Sequence, residues 1–123
     1  MKFLVIDDDC AIVDLVATIL ENYFEVDKID RCFTPQSAIE KLELTNYDLV
    51  ICDFEMQPHG TGEQVFDFIN RTNIQCPFVL FTSLDADEIS MLSSTEFSQD
   101  QFHYLQKPVL PKAFNSFVEK VLN

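Results

Sequence analysis

Basic residues are scarce in this chain: 8 Lys plus Arg stand against 21 Asp plus Glu in 123 residues, a formal net charge of −13. Non-specific binding of nucleic acid or of an anionic membrane is thereby excluded, because so acidic a surface repels both and no Lys/Arg cluster offsets the excess. A cation, or a basic patch on a partner, is the natural ligand. No apolar run approaches the ~20 residues of a membrane span. The opening Met1-Lys2-Phe3-Leu4-Val5-Ile6 meets Asp7-Asp8-Asp9 before a signal-peptide core can form. These absences predict a soluble, cytoplasmic protein. Cys10, Cys32, Cys52 and Cys76 lie about twenty residues apart, with no pair at zinc or redox spacing, and read as small core hydrophobes. Repeats, low-complexity segments and linkers are also lacking, so residues 1–123 are expected to form one domain.

What is present is an alternation of two periods. Lys2 to Ile6 is a short apolar run, and Ile12, Val13, Val16, Ile19, Leu20 and Tyr23 then recur at helical spacing. A strand is expected from Glu25 to Phe33. Thr34-Pro35 supplies an N-cap and a first-turn proline for a helix carrying Ala38, Ile39 and Leu42, and Asp48 to Cys52 is a third strand. A loop at Pro58 to Gly62 precedes a helix from about Glu63 to Arg71. Pro77 to Phe81 is too continuously apolar to have a wet face. A weaker helix covers about Asp85 to Ser94, and the stretch Ser90 to Gln101, rich in Ser and Thr, is expected to be weakly held. Phe102 to Leu105 forms a fifth strand. Pro111 opens a last helix whose Ala113, Phe114, Phe117, Val118, Val121 and Leu122 make a continuous stripe. Five strands alternating with five helices predict an α/β fold, a single doubly wound parallel sheet whose ligands bind beyond the carboxyl ends of the strands.

The polar residues of interest all fall at those ends: Asp7-Asp8-Asp9 after the first strand, Asp53 after the third, Thr82-Ser83 after the fourth and Lys107-Pro108 after the fifth. Clustered carboxylates repel unless a cation sits among them, and Mg²⁺ is the hard, oxygen-seeking ion that a few carboxylates and waters hold. A carboxylate can also act as a nucleophile toward phosphorus, where the transition state calls for a metal, a Lys and a hydroxyl donor. Asp53, Mg²⁺, Lys107 and Thr82 are such a set. His59 and His103 lack partners at metal spacing and read as solvent or loop residues. No Ser-His-Asp or Cys-His arrangement suggests nucleophilic hydrolysis.

With Ile6-Asp7-Asp8, Asp53, Phe81-Thr82-Ser83 and Lys107-Pro108 preceded by Tyr104, the chain resembles, over essentially its whole length, a receiver domain of the response-regulator family in two-component signalling. The resemblance implies the flavodoxin-like (βα)5 fold. It implies Asp53 as phosphate acceptor, Asp8 as a direct Mg²⁺ ligand, Asp7 as a ligand through water and the backbone carbonyl of Glu55 as the remaining protein ligand. Lys107 would pair with the phosphoryl group, Thr82 would bond one of its oxygens, and Tyr104 would turn inward when Thr82 moves. A cis peptide is expected between Lys107 and Pro108. The implied donor is a histidine kinase or histidine phosphotransfer protein. The implied output runs to a downstream protein or a second copy through the fourth helix, fifth strand and fifth helix, and the domain would promote only its own phosphorylation and dephosphorylation.

Two departures stand out. The family commonly has Met, Pro and Gly at +3, +4 and +8 from the acceptor, whereas Met56, Pro58 and Gly62 stand here at +3, +5 and +9, so the loop is expected to be one residue longer. Asp9 adds a third acid, expected to cap the first helix. The competing readings are an aspartate-nucleophile phosphatase of haloacid-dehalogenase type, for which Asp7-x-Asp9 offers a superficial motif, and a degenerate receiver that only binds.

Overall fold

Continuous apolar runs with no wet face build the centre of the sheet. In the computed structural model, which describes residues 1–93 and 100–123, β1 (Lys2–Ile6), β3 (Leu49–Cys52) and β4 (Phe78–Thr82) are buried throughout except Lys2. β2 (Lys28–Cys32) and β5 (Phe102–Gln106) form the half-exposed edges. All pairings are parallel and the strand order is β2-β1-β3-β4-β5. Parallel strands need crossovers, and the five helices provide them and cover both faces: α1 (Cys10–Tyr23), α2 (Pro35–Leu44), α3 (Gly62–Arg71), α4 (Ala86–Leu92) and α5 (Pro111–Leu122).

The two-residue period of the strands divides the core in two. Leu4, Ile6, Val50, Cys52, Phe78 and Leu80 pack on the side of α2 and α3, with Ala38, Leu42, Val65 and Phe66. Phe3, Val5, Leu49, Ile51, Val79 and Phe81 pack on the side of α1 and α5, with Val13, Val16, Leu20, Phe114 and Val118. Helix starts are set by their caps: Thr34 Oγ1 accepts from the Ser37 amide at 3.2 Å, and Asp85 and Glu88 cap each other's backbone at 2.8 and 3.0 Å. No helix among the described residues is long and apolar enough to cross a membrane.

Several expectations need correction. β2 is shorter than Glu25–Phe33, because the chain before Lys28 is tied to the amino terminus: the Met1 amine bonds the Glu25 carbonyl and the Asp27 carboxylate at 3.2 and 2.6 Å. Cys32, Cys52 and Cys76 are buried, but Cys10 is exposed at the first position of α1. Ala113 is exposed, so the buried stripe of α5 starts at Phe114. His103 is a half-buried strand residue whose ring meets Phe117 edge-on at 6.5 Å. Residues 94–99 of the stretch expected to be weakly held, and the expected end of the fourth helix at Ser94, lie outside the described residues.

Phe66 anchors α3 to the sheet, its ring 5.2 Å from Phe78 and 5.4 Å from Phe102. Truncating a fully buried Phe costs the transfer energy of the ring plus the cavity left behind. Phe66→Ala is expected to lose about 3–5 kcal/mol, read as a lower urea midpoint at an unchanged slope.

Candidate functional site

Parallel register brings the site together before any side-chain contact forms. Ile6 pairs with Cys52, so the chains leaving β1 and β3 emerge side by side. The ladder runs one step past each strand: the Asp53 amide donates to the Ile6 carbonyl at 2.9 Å and the Asp7 amide to the Cys32 carbonyl at 3.1 Å. Thr82 pairs with Gln106, and the Lys107 amide donates to the Thr82 carbonyl at 2.7 Å. Asp7, Asp53 and Thr82 are the buried polar residues among those described. Every one of them stands at this edge.

The Lys107 ammonium is the positive centre. Its Nζ lies 2.7 Å from Asp7 Oδ2 and 3.8 Å from Asp53 Oδ1. The Asp9 amide donates to Asp7 Oδ1 at 3.0 Å and the Phe54 amide to Asp53 Oδ1 at 2.8 Å. Even so, burial pushes the Asp53 carboxyl up to about 6, Lys107 opposing the rise and the Asp7 charge adding to it. Asp7 is raised as well, again first by burial and against the pull of Lys107. Loss of water, more than crowding by like charge, is what strains these carboxylates.

Asp7, Asp8 and Asp53 each offer a carboxylate oxygen, and the three atoms lie within 4.8 Å of one another. Asp8 is exposed, open to a hydrated ion. A donor set made only of oxygens, with net negative charge and access to water, fits Mg²⁺. Asp9 is not in this cluster: its Oδ1 accepts from the Ala11 amide at 3.0 Å and caps α1, as expected. The Asp7-x-Asp9 motif therefore does not make a pair of facing carboxylates.

The loop after Asp53 closes on itself. Glu55 and Thr61 form an isolated antiparallel bridge, the Met56 amide donates to the Gly60 carbonyl at 3.0 Å, and Met56 is fully buried. Cis peptides precede Pro58 and Pro108. The tip of this loop, Gln57 to His59, is exposed. Gly62 returns the chain to Asp53: its amide donates to the Phe54 carbonyl at 2.8 Å, and a Cβ there would stand 2.3 Å from the Asp53 carbonyl oxygen. Tyr104 is half-buried, and its hydroxyl donates to the Leu84 carbonyl at 2.5 Å. The approach of Gly62 to Asp53, and of Lys107 Nζ to within 5.3 Å of the Phe81 ring centroid, went unread in the sequence. The signal for Phe81 lay in strand alternation, which sends it to the face opposite its neighbour Thr82.

A family model described as the response regulator receiver domain matches residues 3–119. The transcriptional regulatory protein ComA of Bacillus subtilis is 27% identical over 90 residues, covering 71% of this chain. The matched segment spans 41% of ComA, about two fifths of its length. The Francisella response regulator 1452 receiver domain is 28% identical, with a TM-score of 0.77 over 98% of this chain and 95% of that one. A CheY-like receiver domain protein from Methanospirillum hungatei shares the fold at 22% identity, with a TM-score of 0.82 over 98% and 92% of the two chains.

Asp53 supplies a prediction with a defined sign. Its folded value near 6 lies above the ~3.9 of an unfolded Asp, so its contribution to stability is full below about 4 and is lost as pH rises through about 6. In EDTA the Asp53→Asn variant is expected to exceed wild type at pH 7 by roughly 1–2 kcal/mol, allowing for solvent at the carboxylate. The gap should shrink as pH falls from 7 to 5, and urea unfolding of both proteins across that range measures it.

Proposed function

The chain belongs to the response regulator receiver domains, and on that premise we propose that it receives a phosphoryl group on Asp53 from a histidine kinase or histidine phosphotransfer protein. The observation that carries this reading is the setting of Asp53: a buried carboxylate at the end of a central strand, 3.8 Å from the Lys107 ammonium and beside Asp7 and Asp8. A nucleophile toward phosphorus needs an accessible lone pair and positive charge where the transferred oxygens gather.

In the transfer, an Asp53 oxygen forms a bond to phosphorus while the bond from phosphorus to the donor imidazole nitrogen breaks. The nitrogen leaves with the electron pair and takes up a proton. Lys107 shifts its attraction from Asp7 and Asp53 toward the incoming phosphoryl oxygens, and the Thr82 hydroxyl donates to one of them. Asp8 and Asp53 would hold Mg²⁺ directly, with Asp7 through water and the Glu55 backbone carbonyl completing the protein's share. The ion would supply charge neutralisation for the transfer when bound. Burial favours the protonated form of Asp53 and the Lys107 ammonium opposes it, holding the carboxylate toward its nucleophilic state.

Output follows from Thr82. Drawing its hydroxyl toward the phosphoryl group opens space on the side of β4 that faces Tyr104, whose hydroxyl bond to the Leu84 carbonyl ties it to the β4–α4 connection. Tyr104 turning inward would break that bond and shift α4. Met91 and Leu92 of α4 and Leu110 before α5 are large exposed apolar side chains, suited to a downstream protein or a second copy on the face built from α4, β5 and α5. On this reading residues 1–123 act as one cytoplasmic domain that binds no nucleic acid itself and catalyses only its own phosphorylation and dephosphorylation.

The test is incubation with acetyl phosphate and Mg²⁺, followed by intact-mass analysis. Wild type should gain one phosphoryl group and Asp53→Asn none. Labelling that survives in Asp53→Asn and maps to Asp7 or Asp8 would overturn the assignment, and continuous release of phosphate over many turnovers would favour a phosphatase.

A further inference from the structure

The Lys107 ammonium has a neighbour besides the two carboxylates: it lies over the face of the Phe81 ring, 5.3 Å from the centroid. Phe81 is buried, and its ring packs on Phe114 of α5 with centroids 5.3 Å apart and planes inclined at 53°. Thr82 and Phe81 are consecutive on β4, so they serve opposite faces of the sheet. Leu80, which shares the face of Thr82, packs in the cluster that includes Tyr104, whereas Phe81 packs with Phe114 and Val118.

This placement has a chemical consequence. An ammonium carries three N–H donors. Asp7 Oδ2 takes one at 2.7 Å, while Asp53 Oδ1 at 3.8 Å is beyond hydrogen-bond reach. A carboxylate or carbonyl in the place of the ring would capture a second donor. A π face instead attracts the cation through its quadrupole and leaves the remaining donors free. It also keeps water from one side of a charge whose side chain is already only 18% exposed, which strengthens the attraction to both carboxylates.

We infer that Phe81 is a positioning residue for Lys107: its ring face seats the ammonium beside Asp53 with donors free for the oxygens of an arriving phosphoryl group, and Phe114 fixes that ring to α5. The phosphoryl half of this statement rests on the receiver reading; the seating of Lys107 by the ring does not. A displacement of α5 would move Phe114, then Phe81, then the ammonium, which gives the site a connection to α5 separate from the one through Thr82 and Tyr104.

The experiment has two arms on the full chain. The first is NMR of Lys107 in wild type, where a proton above a ring face is shifted upfield; the Lys107 Hε resonances should be displaced upfield and should return to ordinary values in Phe81→Leu. The second is the rate of Asp53 phosphorylation by acetyl phosphate in Mg²⁺ when Phe81 is replaced, by stop-codon suppression, with mono-, di- and trifluorinated phenylalanine. These rings keep nearly the same shape while their π face is progressively drained of charge. The rate should fall stepwise with each fluorine, by about three- to tenfold across the series, at nearly constant melting temperature. Unshifted Lys107 Hε resonances in wild type, or a rate that does not change along the series, would overturn the proposal. Should Phe81→Leu not fold, the wild-type shift and the fluorinated series still decide. If wild type itself takes no phosphoryl group, the receiver reading fails and the NMR arm alone tests the seat.

Discussion

One ammonium among buried carboxylates is the interaction on which this molecule turns. Lys107 stands 2.7 Å from Asp7 and 3.8 Å from Asp53, and without it two acids would be shut away from water with backbone amides as their main partners. A buried charge pair rarely adds net stability, because desolvation offsets the attraction. The raised carboxyls of Asp7 and Asp53 are that offset made visible. On the proposed reading the cluster is a prepared state: a buried carboxylate held beside an ammonium and within reach of two further acids that could share a cation with it.

The rest of the fold serves that placement. Neither Asp7 nor Asp53 is in a strand; each is the first residue past one, held by one further step of the parallel ladder. Lys107 is fixed in the same way by the Thr82 carbonyl. Three buried strands and two covering layers of helices make those three points rigid relative to one another. Gly62 completes the arrangement from the other side of Asp53, since a side chain there would strike the Asp53 carbonyl. Alternation along β4 then separates the two faces, Thr82 on the side that holds Leu80 and Tyr104 and Phe81 on the side that holds Phe114.

Much of this was legible in the sequence because it depends on local signals. The runs Lys2 to Ile6, Asp48 to Cys52 and Pro77 to Phe81 read as strands, the last as one with no wet face, and each matches an observed strand to within a residue. Asp9 and Thr34-Pro35 read as helix starts from their chemistry, and Asp7, Asp8, Asp53, Thr82 and Lys107 fell at the strand ends. What escaped reading was set by distant contacts. β2 stops at Lys28 because the amino terminus fastens Glu25 and Asp27, a contact no local pattern announces. Cys10 and Ala113 look like core residues by type, but helix phase turns them outward. His103, within a run expected to be a strand, was read as a solvent or loop residue, yet β5 half-buries it against Phe117. The sequence pointed to like-charge repulsion among the acids, whereas burial is the first cause of the raised Asp7 and Asp53 carboxyls, and burial is a property of the whole fold.

The claim that Asp7, Asp8 and Asp53 share one cation site held in tension is tested most directly by melting curves of wild type and Asp53→Ala, each in EDTA and in excess Mg²⁺. An ion that binds only the folded state adds about 2.7 kcal/mol at a hundredfold excess over Kd, a rise of roughly 10 °C for a domain of this size. Wild type is predicted to show a rise of that order. Asp53→Ala is predicted to melt above wild type in EDTA, having lost a buried charge, and to respond less to Mg²⁺, having lost a ligand. An Asp53→Ala protein that melts lower in EDTA and keeps the full Mg²⁺ response would contradict the account, because the three carboxylates would then not be acting as one site.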